Sequence, residues 1–278
     1  MKDFPDQKKI ETFPDQKKIE TFPDSSKRDI SAAPAVTLYY GDCLDIMSNI
    51  PNKSIDMIFC DLPYGTTKCK WDIIIPFELL WKEYNRIIKD RGCIALFGSE
   101  PFSSHLRMSN IKKYKYDWIW KKNAGSNFGV VKYQPMKEHE MILIFNSNIY
   151  FPIMQERAEG GKSRSKYKVK YDNNSSDSHK YIANKKITIN TINEKRYPSS
   201  VQNFNIERGL HPTQKPVTLL EYLIKTYTLE NETVLDNCMG SGSTGVACVN
   251  TNRNFIGIEK EENYFNIAKE RIEKCRNS

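Results

Sequence analysis

The run Ile55-Asp56-Met57-Ile58-Phe59-Cys60 gives way at once to Asp61-Leu62-Pro63-Tyr64-Gly65, and no other stretch narrows the fold as much. Six residues this apolar read as a short buried strand, stopped by the proline and glycine. Such strands belong to parallel sheets covered by helices on both faces. Other segments agree. Residues 36–40, 93–97, 141–145, 233–236 and 254–259 read as strands, and 116–122 as another with Trp118 and Trp120 alternating against polar neighbours. Residues 77–89 carry Leu79, Leu80, Tyr84, Ile87 and Ile88 at helical spacing, with Gly92 as the stop. Strand, helix, strand in that order predicts an α/β fold with a mostly parallel sheet and right-handed crossovers.

Ligands of open α/β sheets sit beyond the carboxyl ends of the strands. There Asp61 supplies a carboxylate, Pro63 a rigid turn and Tyr64 an aromatic ring. Together they suit a planar amine, whose NH2 donates to the carboxylate and a backbone carbonyl while its ring stacks on the tyrosine. A single tetrapeptide of this kind is also what any strand running into a polar turn looks like, so its neighbours matter.

The late strand at 233–236 ends in Asp236, and Asn237-Cys238-Met239-Gly240-Ser241-Gly242-Ser243-Thr244-Gly245 leads into a helix. A glycine bend before a helix N-terminus lets backbone approach a ligand closely. Glu259 closes the next strand, 23 residues beyond Asp236, near where an acidic residue binds ribose hydroxyls in nucleoside sites. The bend lacks the Gly-Lys-Ser/Thr of a phosphate loop. Gly240-x-Gly242-x-x-Gly245 matches the dinucleotide pattern formally, but Asp236 crowds the approach of a pyrophosphate. A ligand with an ammonium and no phosphate fits better, as S-adenosyl-L-methionine does. Gly41-Asp42 adds a carboxylate at another strand end. Pro216 opens a helix with Leu219, Leu220, Leu223, Ile224 and Tyr227 on one core face, and Lys215 before it could hold a carboxylate.

Charge points to a polyanion. Of the formal +8, residues 157–196 contribute +7, from eleven Lys/Arg against four Asp/Glu. Tyrosines 167, 171, 181 and 197 interleave with these lysines, which favours nucleic acid over a merely solvated loop. Residues 4–12 recur as 13–21, too polar to bury a face, so 1–34 read as a flexible tail. The remaining boundaries fall at 35–150, at a basic insert 151–205 with a strand at 185–192, and at 206–278. Residues 66–72 read as a mobile loop over the site, and 123–133 as a glycine-bearing loop. Seven cysteines without a Cys-x-x-Cys pair fit free thiols in a reducing cytoplasm. No apolar run approaches a membrane span, and no leader suggests export. His139-Glu140 lacks the second histidine of a zinc helix, so no metal is expected.

Taken together, these residues resemble the β arrangement of DNA amino-methyltransferases. Asp61-Leu62-Pro63-Tyr64 looks like their Asp-Pro-Pro-Tyr, and Asp236 to Thr244 like their Asp-Pro-Phe-x-Gly-Ser-Gly-Thr-Thr. His211-Pro212-Thr213-Gln214-Lys215-Pro216 and Gly41-Asp42-Cys43-Leu44 match two further motifs. The order is the telling part: catalytic tetrapeptide first, target-recognition region next, cofactor loop last. Leu62 replaces the first proline, and Asn237 and Cys238 replace Pro and Phe, which loosens one turn and removes a ring near the cofactor.

The resemblance implies a Rossmann-like methyltransferase fold and methyl transfer from S-adenosyl-L-methionine to the N6 of an adenine flipped out of double-stranded DNA. Asp61, Leu62, Pro63 and Tyr64 would be catalytic. Asp42 would hold the cofactor adenine and Glu259 its ribose. Asp236, Gly240, Gly242 and Thr244 would hold the amino-acid end with Thr213 and Lys215, and Cys43, Asp61, His211, Asn237 and Ser243 would complete the site. Lys121, Lys122, Lys162, Arg164, Lys166, Lys168, Lys170, Lys185 and Lys186 would contact DNA. A homodimer and a cognate restriction endonuclease are partners the family allows. Cytosine-N4 transfer, transfer to RNA or protein glutamine, and a non-enzymatic DNA-binding module are the alternatives. The acidic first residue favours adenine-N6, and the late glycine loop disfavours the RNA and protein enzymes.

Overall fold

The computed structural model describes residues 19–21, 33–66, 69, 72–158, 194–207, 209 and 214–277. Its centre is the expected strand, β3 (Ile55–Cys60), in which all six residues are buried. To one side lie β10 (Thr233–Asp236), β11 (Asn254–Glu259) and β2 (Val36–Tyr40), all parallel to it. On the other side lies β4 (Ile88–Gly98), also parallel. The late cofactor segment therefore threads between two early strands, so residues 35–150 and 206–278 share one sheet. Five strands thus deliver their carboxyl ends to one edge.

The far side of the sheet changes direction. β5 (Tyr114–Ser126) and β6 (Lys137–Phe145) form an antiparallel hairpin, β6 pairs antiparallel with β4, and β9 (Val201–Asn203) lies parallel to β5. The hairpin is longer than its apolar residues indicate, because strand pairing continues through polar residues to Ser126↔Lys137. At the opposite edge β1 (Ile19–Thr21) pairs antiparallel with β2. Part of the repeat expected to be a flexible tail is thus a strand. A separate two-stranded ribbon joins β7 (Gln155–Glu156) to β8 (Lys195–Arg196) at the two ends of the basic insert. The strand expected at 185–192 lies outside the described residues.

Strand alternation sends side chains to two cores. Met57 and Phe59 pack with Ala95, Phe97 and the helices α4 (Val217–Tyr227), α5 (Ser243–Asn250) and α6 (Glu262–Arg276). Ile58 and Cys60 pack on the other face with Ile94, Leu96 and the helices α1 (Cys43–Met47), α2 (Phe77–Ile87) and α3 (Phe102–Ser109). Helix α2 ends at Ile87 rather than Lys89, because Ile88 is already extended and opens β4. Among the described residues no helix is long and apolar enough to cross a membrane.

Candidate active site

A single cleft runs along the carboxyl edge of β2, β11, β10, β3 and β4. It is lined by Asp42, Cys43, Asp61 to Tyr64, Asp236 to Ser241, Thr244 and Glu259 together with Glu140 and Lys215. The two motifs that sequence places 175 residues apart meet here because β10 and β3 are neighbours in the sheet.

At the tetrapeptide end, Asp61 Oδ1 accepts from the Tyr64 hydroxyl at 2.7 Å, and Asp61 Oδ2 pairs with Lys215 Nζ. Lys215 also stands 3.4 Å from Glu140, which pairs in turn with Lys122. Four alternating charges thus run from the cleft to the β5–β6 hairpin. Burial raises the Asp61 carboxyl, and Lys215 works against that rise. Burial acts to raise Glu140 too, but Lys215 and Lys122 outweigh it and hold that carboxyl below its usual range. Burial would lower the Lys215 ammonium, yet Asp61 and Glu140 raise it. Two sequence-based assignments change accordingly. Lys215, expected to hold a cofactor carboxylate, pairs with Asp61 and Glu140 at the cleft wall. Lys122, expected on DNA, is turned inward to Glu140 and lies over the Trp120 ring at 4.8 Å. Lys121 is exposed.

The Tyr64 ring stacks on Phe102 of α3 at 4.8 Å, and the residue lines the cleft. The turn after it is pinned. Asp72, buried, accepts from Gly65 N at 2.8 Å and Thr66 N at 2.9 Å. The segment expected to be a mobile loop therefore ends in an anchor.

At the glycine end, Asp236 Oδ2 accepts from Thr244 Oγ1 at 2.6 Å and Oδ1 from Cys238 N at 3.1 Å. Burial pushes the Asp236 carboxyl up to about 6. Glu259 accepts from Gly240 N and from Glu261 N, each at 2.9 Å, and burial raises it as well. Asp42 caps α1 through Leu44 N at 2.8 Å. Gly242 is not on the cleft wall. It adopts φ +78 against α6, where an added Cβ would meet Ala268 at 2.9 Å, so it serves helix packing rather than ligand contact. Ser243 accepts from Arg271 at 2.9 Å.

The two departures from the motif are accommodated locally. Asn237 Oδ1 accepts from the buried Tyr84 hydroxyl at 2.5 Å. The Cys238 Sγ, where the family carries a ring, accepts from Asn237 Nδ2 at 3.6 Å. Burial pushes the Cys60 thiol up to about 12, which keeps it neutral. His211, Thr213 and all the insert lysines and arginines assigned to DNA lie outside the described residues. Glu140, Asp72, Tyr84 and Phe102 escaped sequence reasoning. Glu140 had one visible signal, a carboxylate opening an apolar strand.

The described lining holds seven carboxylates (Asp42, Asp61, Asp72, Glu140, Asp236, Glu259, Glu261) and two ammonium groups (Lys215, Lys260). That balance suits a cationic nucleoside such as a sulfonium with an α-ammonium group, and it disfavours a pyrophosphate. A mostly parallel sheet whose switch region holds such a cleft beside an Asp-Leu-Pro-Tyr turn defines a Rossmann-like methyltransferase dependent on S-adenosyl-L-methionine. More narrowly, residues 55–270 match the family model of N6 and N4 DNA methylases, and the chain belongs to that family.

Among named relatives, the type II methyltransferase M.HinfI of Haemophilus influenzae is 29% identical over 280 residues, covering 86% of this chain and 69% of its own. The DNA adenine methyltransferase YhdJ of Escherichia coli (strain K12) is 27% identical, covering 86% and 83%. Among solved structures, the M1.HpyAVI complex with SAM aligns with a TM-score of 0.58 at 25% identity, over 85% of this chain and 98% of that one. The cytosine-N4-specific PvuII DNA methyltransferase has the same fold, with a TM-score of 0.58 at 14% identity over 87% and 91%.

Proposed function

We propose that the protein methylates the exocyclic N6 of adenine in duplex DNA. The observation that carries this reading is Asp61 and Tyr64, linked to each other at the end of β3 and facing the glycine loop across one cleft. Adenine N6 is a poor nucleophile because its lone pair is delocalised into the ring. The base must also leave the stack before any side chain reaches it. Tyr64 then stacks on the ring. Asp61 exchanges the Tyr64 hydroxyl for one N6 hydrogen, and the Leu62 carbonyl takes the other. Two acceptors set at tetrahedral directions favour a pyramidal nitrogen and aim its lone pair. When bound, S-adenosyl-L-methionine supplies an electrophilic methyl on sulfur. Asp42, Glu259 and the Asp236 loop would hold it so that the methyl faces that lone pair.

An acidic first residue favours adenine over cytosine-N4. The type II names of the relatives extend the reading to a cognate restriction endonuclease as partner. Buried free thiols at Cys43, Cys60, Cys93 and Cys248 agree with a reducing cytoplasm.

The test is Asp61→Ala. Methyl transfer to DNA should fall by about a thousandfold, as when a transition-state acceptor or donor is removed, with S-adenosyl-L-methionine affinity held within about twofold. Undiminished transfer would remove Asp61 from the mechanism. Methylation-sensitive sequencing of DNA from cells expressing the chain reports base, atom and context together, and N4-methylcytosine there would replace adenine as the target.

A further inference from the structure

The tip of the β5–β6 hairpin carries an apolar cluster with no role in the site described above. Phe128 is 64% exposed, Val131 45%, Met136 42% and Tyr133 89%, which is unusual for a tip this well braced. The turn is not loose. Asn127, at φ 63, accepts from Lys137 N at 2.8 Å, and Val130 O accepts from Tyr133 N at 2.9 Å and Gln134 N at 3.1 Å. Gly125 lies under Met136, where a Cβ would meet Met136 Cε at 2.8 Å. A rigid knuckle therefore holds its aromatic and aliphatic side chains outward, where burial gains nothing in the free protein.

Position and charge name the occupant. Strand β6 runs from this tip straight into the cleft, where Glu140 pairs with Lys215. Met136 lies four positions before Glu140, so the tip stands about 14 Å beyond the charge chain at strand spacing. That exceeds the depth of either DNA groove, about 8 Å. From Trp118 to Lys137 the chain has no carboxylate and four lysines. Lys122 and Lys137 are turned inward to Glu140 and Ser99, and Lys121 and Lys132 are exposed. One exposed carboxylate, Glu138, follows Lys137 directly, and the exposed Lys121 and Lys132 outnumber it. Aromatic and aliphatic side chains on a rigid projection are what proteins insert between base steps.

We propose that this tip enters the duplex beside the target and fills the gap left by the flipped base, with Tyr133 and Phe128 as the stacking side chains. The proposal rests on the reading of the protein as an enzyme of duplex DNA. It gives the hairpin the task of holding the base out while the cleft positions it.

The test compares two oligonucleotide duplexes containing the methylated site: one fully paired, the other with an abasic nucleotide opposite the target base, where less pairing must be broken. For Tyr133→Ala and Phe128→Ala, kcat/KM on the paired duplex should fall about tenfold or more, and on the abasic duplex by no more than about twofold. Tyr133→Trp should keep most activity on both. Cofactor affinity and thermal midpoint, unchanged in all three, exclude misfolding. Equal losses on the two duplexes, or none on either, would overturn the wedge. Wild-type protein that methylates neither duplex would instead overturn the proposed function, and the wedge with it.

Discussion

The two ends of the cleft hold their carboxylates in opposite ways. At the glycine loop, Glu259 and Asp236 accept from backbone N–H groups of Gly240, Glu261 and Cys238 and from the buried Thr244 hydroxyl. At the tetrapeptide, Asp61 and Glu140 are held by the long side chains of Lys215, Lys122 and Tyr64. Backbone donors cannot leave without unfolding the loop. Side chains can rotate away at the cost of one hydrogen bond to a charged group, about 1.5–3 kcal/mol. The cofactor end is thus built in its working shape. The substrate end rests in a self-satisfied state, with both Asp61 oxygens occupied until a base arrives to replace one partner.

The sharpest way to break this contrast is Glu259→Ala. It leaves the part-buried Gly240 and Glu261 N–H groups without their acceptor and removes the acceptor assigned to the ribose. Cofactor affinity measured by calorimetry should fall about a hundredfold. A variant that binds like the wild type would show that the loop holds itself without Glu259. Next comes Glu140→Gln, which takes one anion from Lys215 and Lys122 but touches no cofactor group in the proposed scheme. Its kcat should fall about tenfold while cofactor affinity changes by less than about twofold. If affinity falls instead and kcat stays, the charge chain belongs to the cofactor end and the two-ended description fails.

The same contrast explains what sequence could show. Asp61 at the end of β3 and the Asp236 loop before α5 were legible because each motif is contiguous, with a strand before it and a helix or turn after it. The fold class followed from the buried runs at β3 and β4 for the same reason. Glu140, Tyr84 and the inward turn of Lys122 were not legible, because their partners lie far along the chain. Lys215 reaches Asp61 across 154 residues, and Tyr84 reaches Asn237 across 153. Only the strand order brings them together. Gly242 misled in another way. Its place in a glycine motif suggested ligand contact, whereas the close approach it permits is to Ala268 of α6. The outer length of the β5–β6 hairpin was hidden because residues past Trp120 pair without burying an alternating face.

The smallest expected effect separates the two ends by pH. Burial raises the Asp236 carboxyl to about 6, with Thr244 and the Cys238 N–H pulling the other way. A raised acid favours its neutral form in the fold. Its contribution to stability is therefore greatest at low pH and is lost as pH climbs from the unfolded value near 4 through about 6. An ammonium ligand needs the opposite, ionised form. Cofactor affinity should accordingly weaken as pH drops, by about fourfold between pH 7 and 5.5 for one group titrating near 6. In Asp236→Asn, which keeps the side-chain shape without the charge, the curve should be flatter by that amount, although affinity at pH 7 will be lower. Calorimetry at constant ionic strength gives both curves. If wild type and variant respond to pH alike, Asp236 only braces Thr244 and Cys238, and the ammonium is held by another of the cleft's carboxylates.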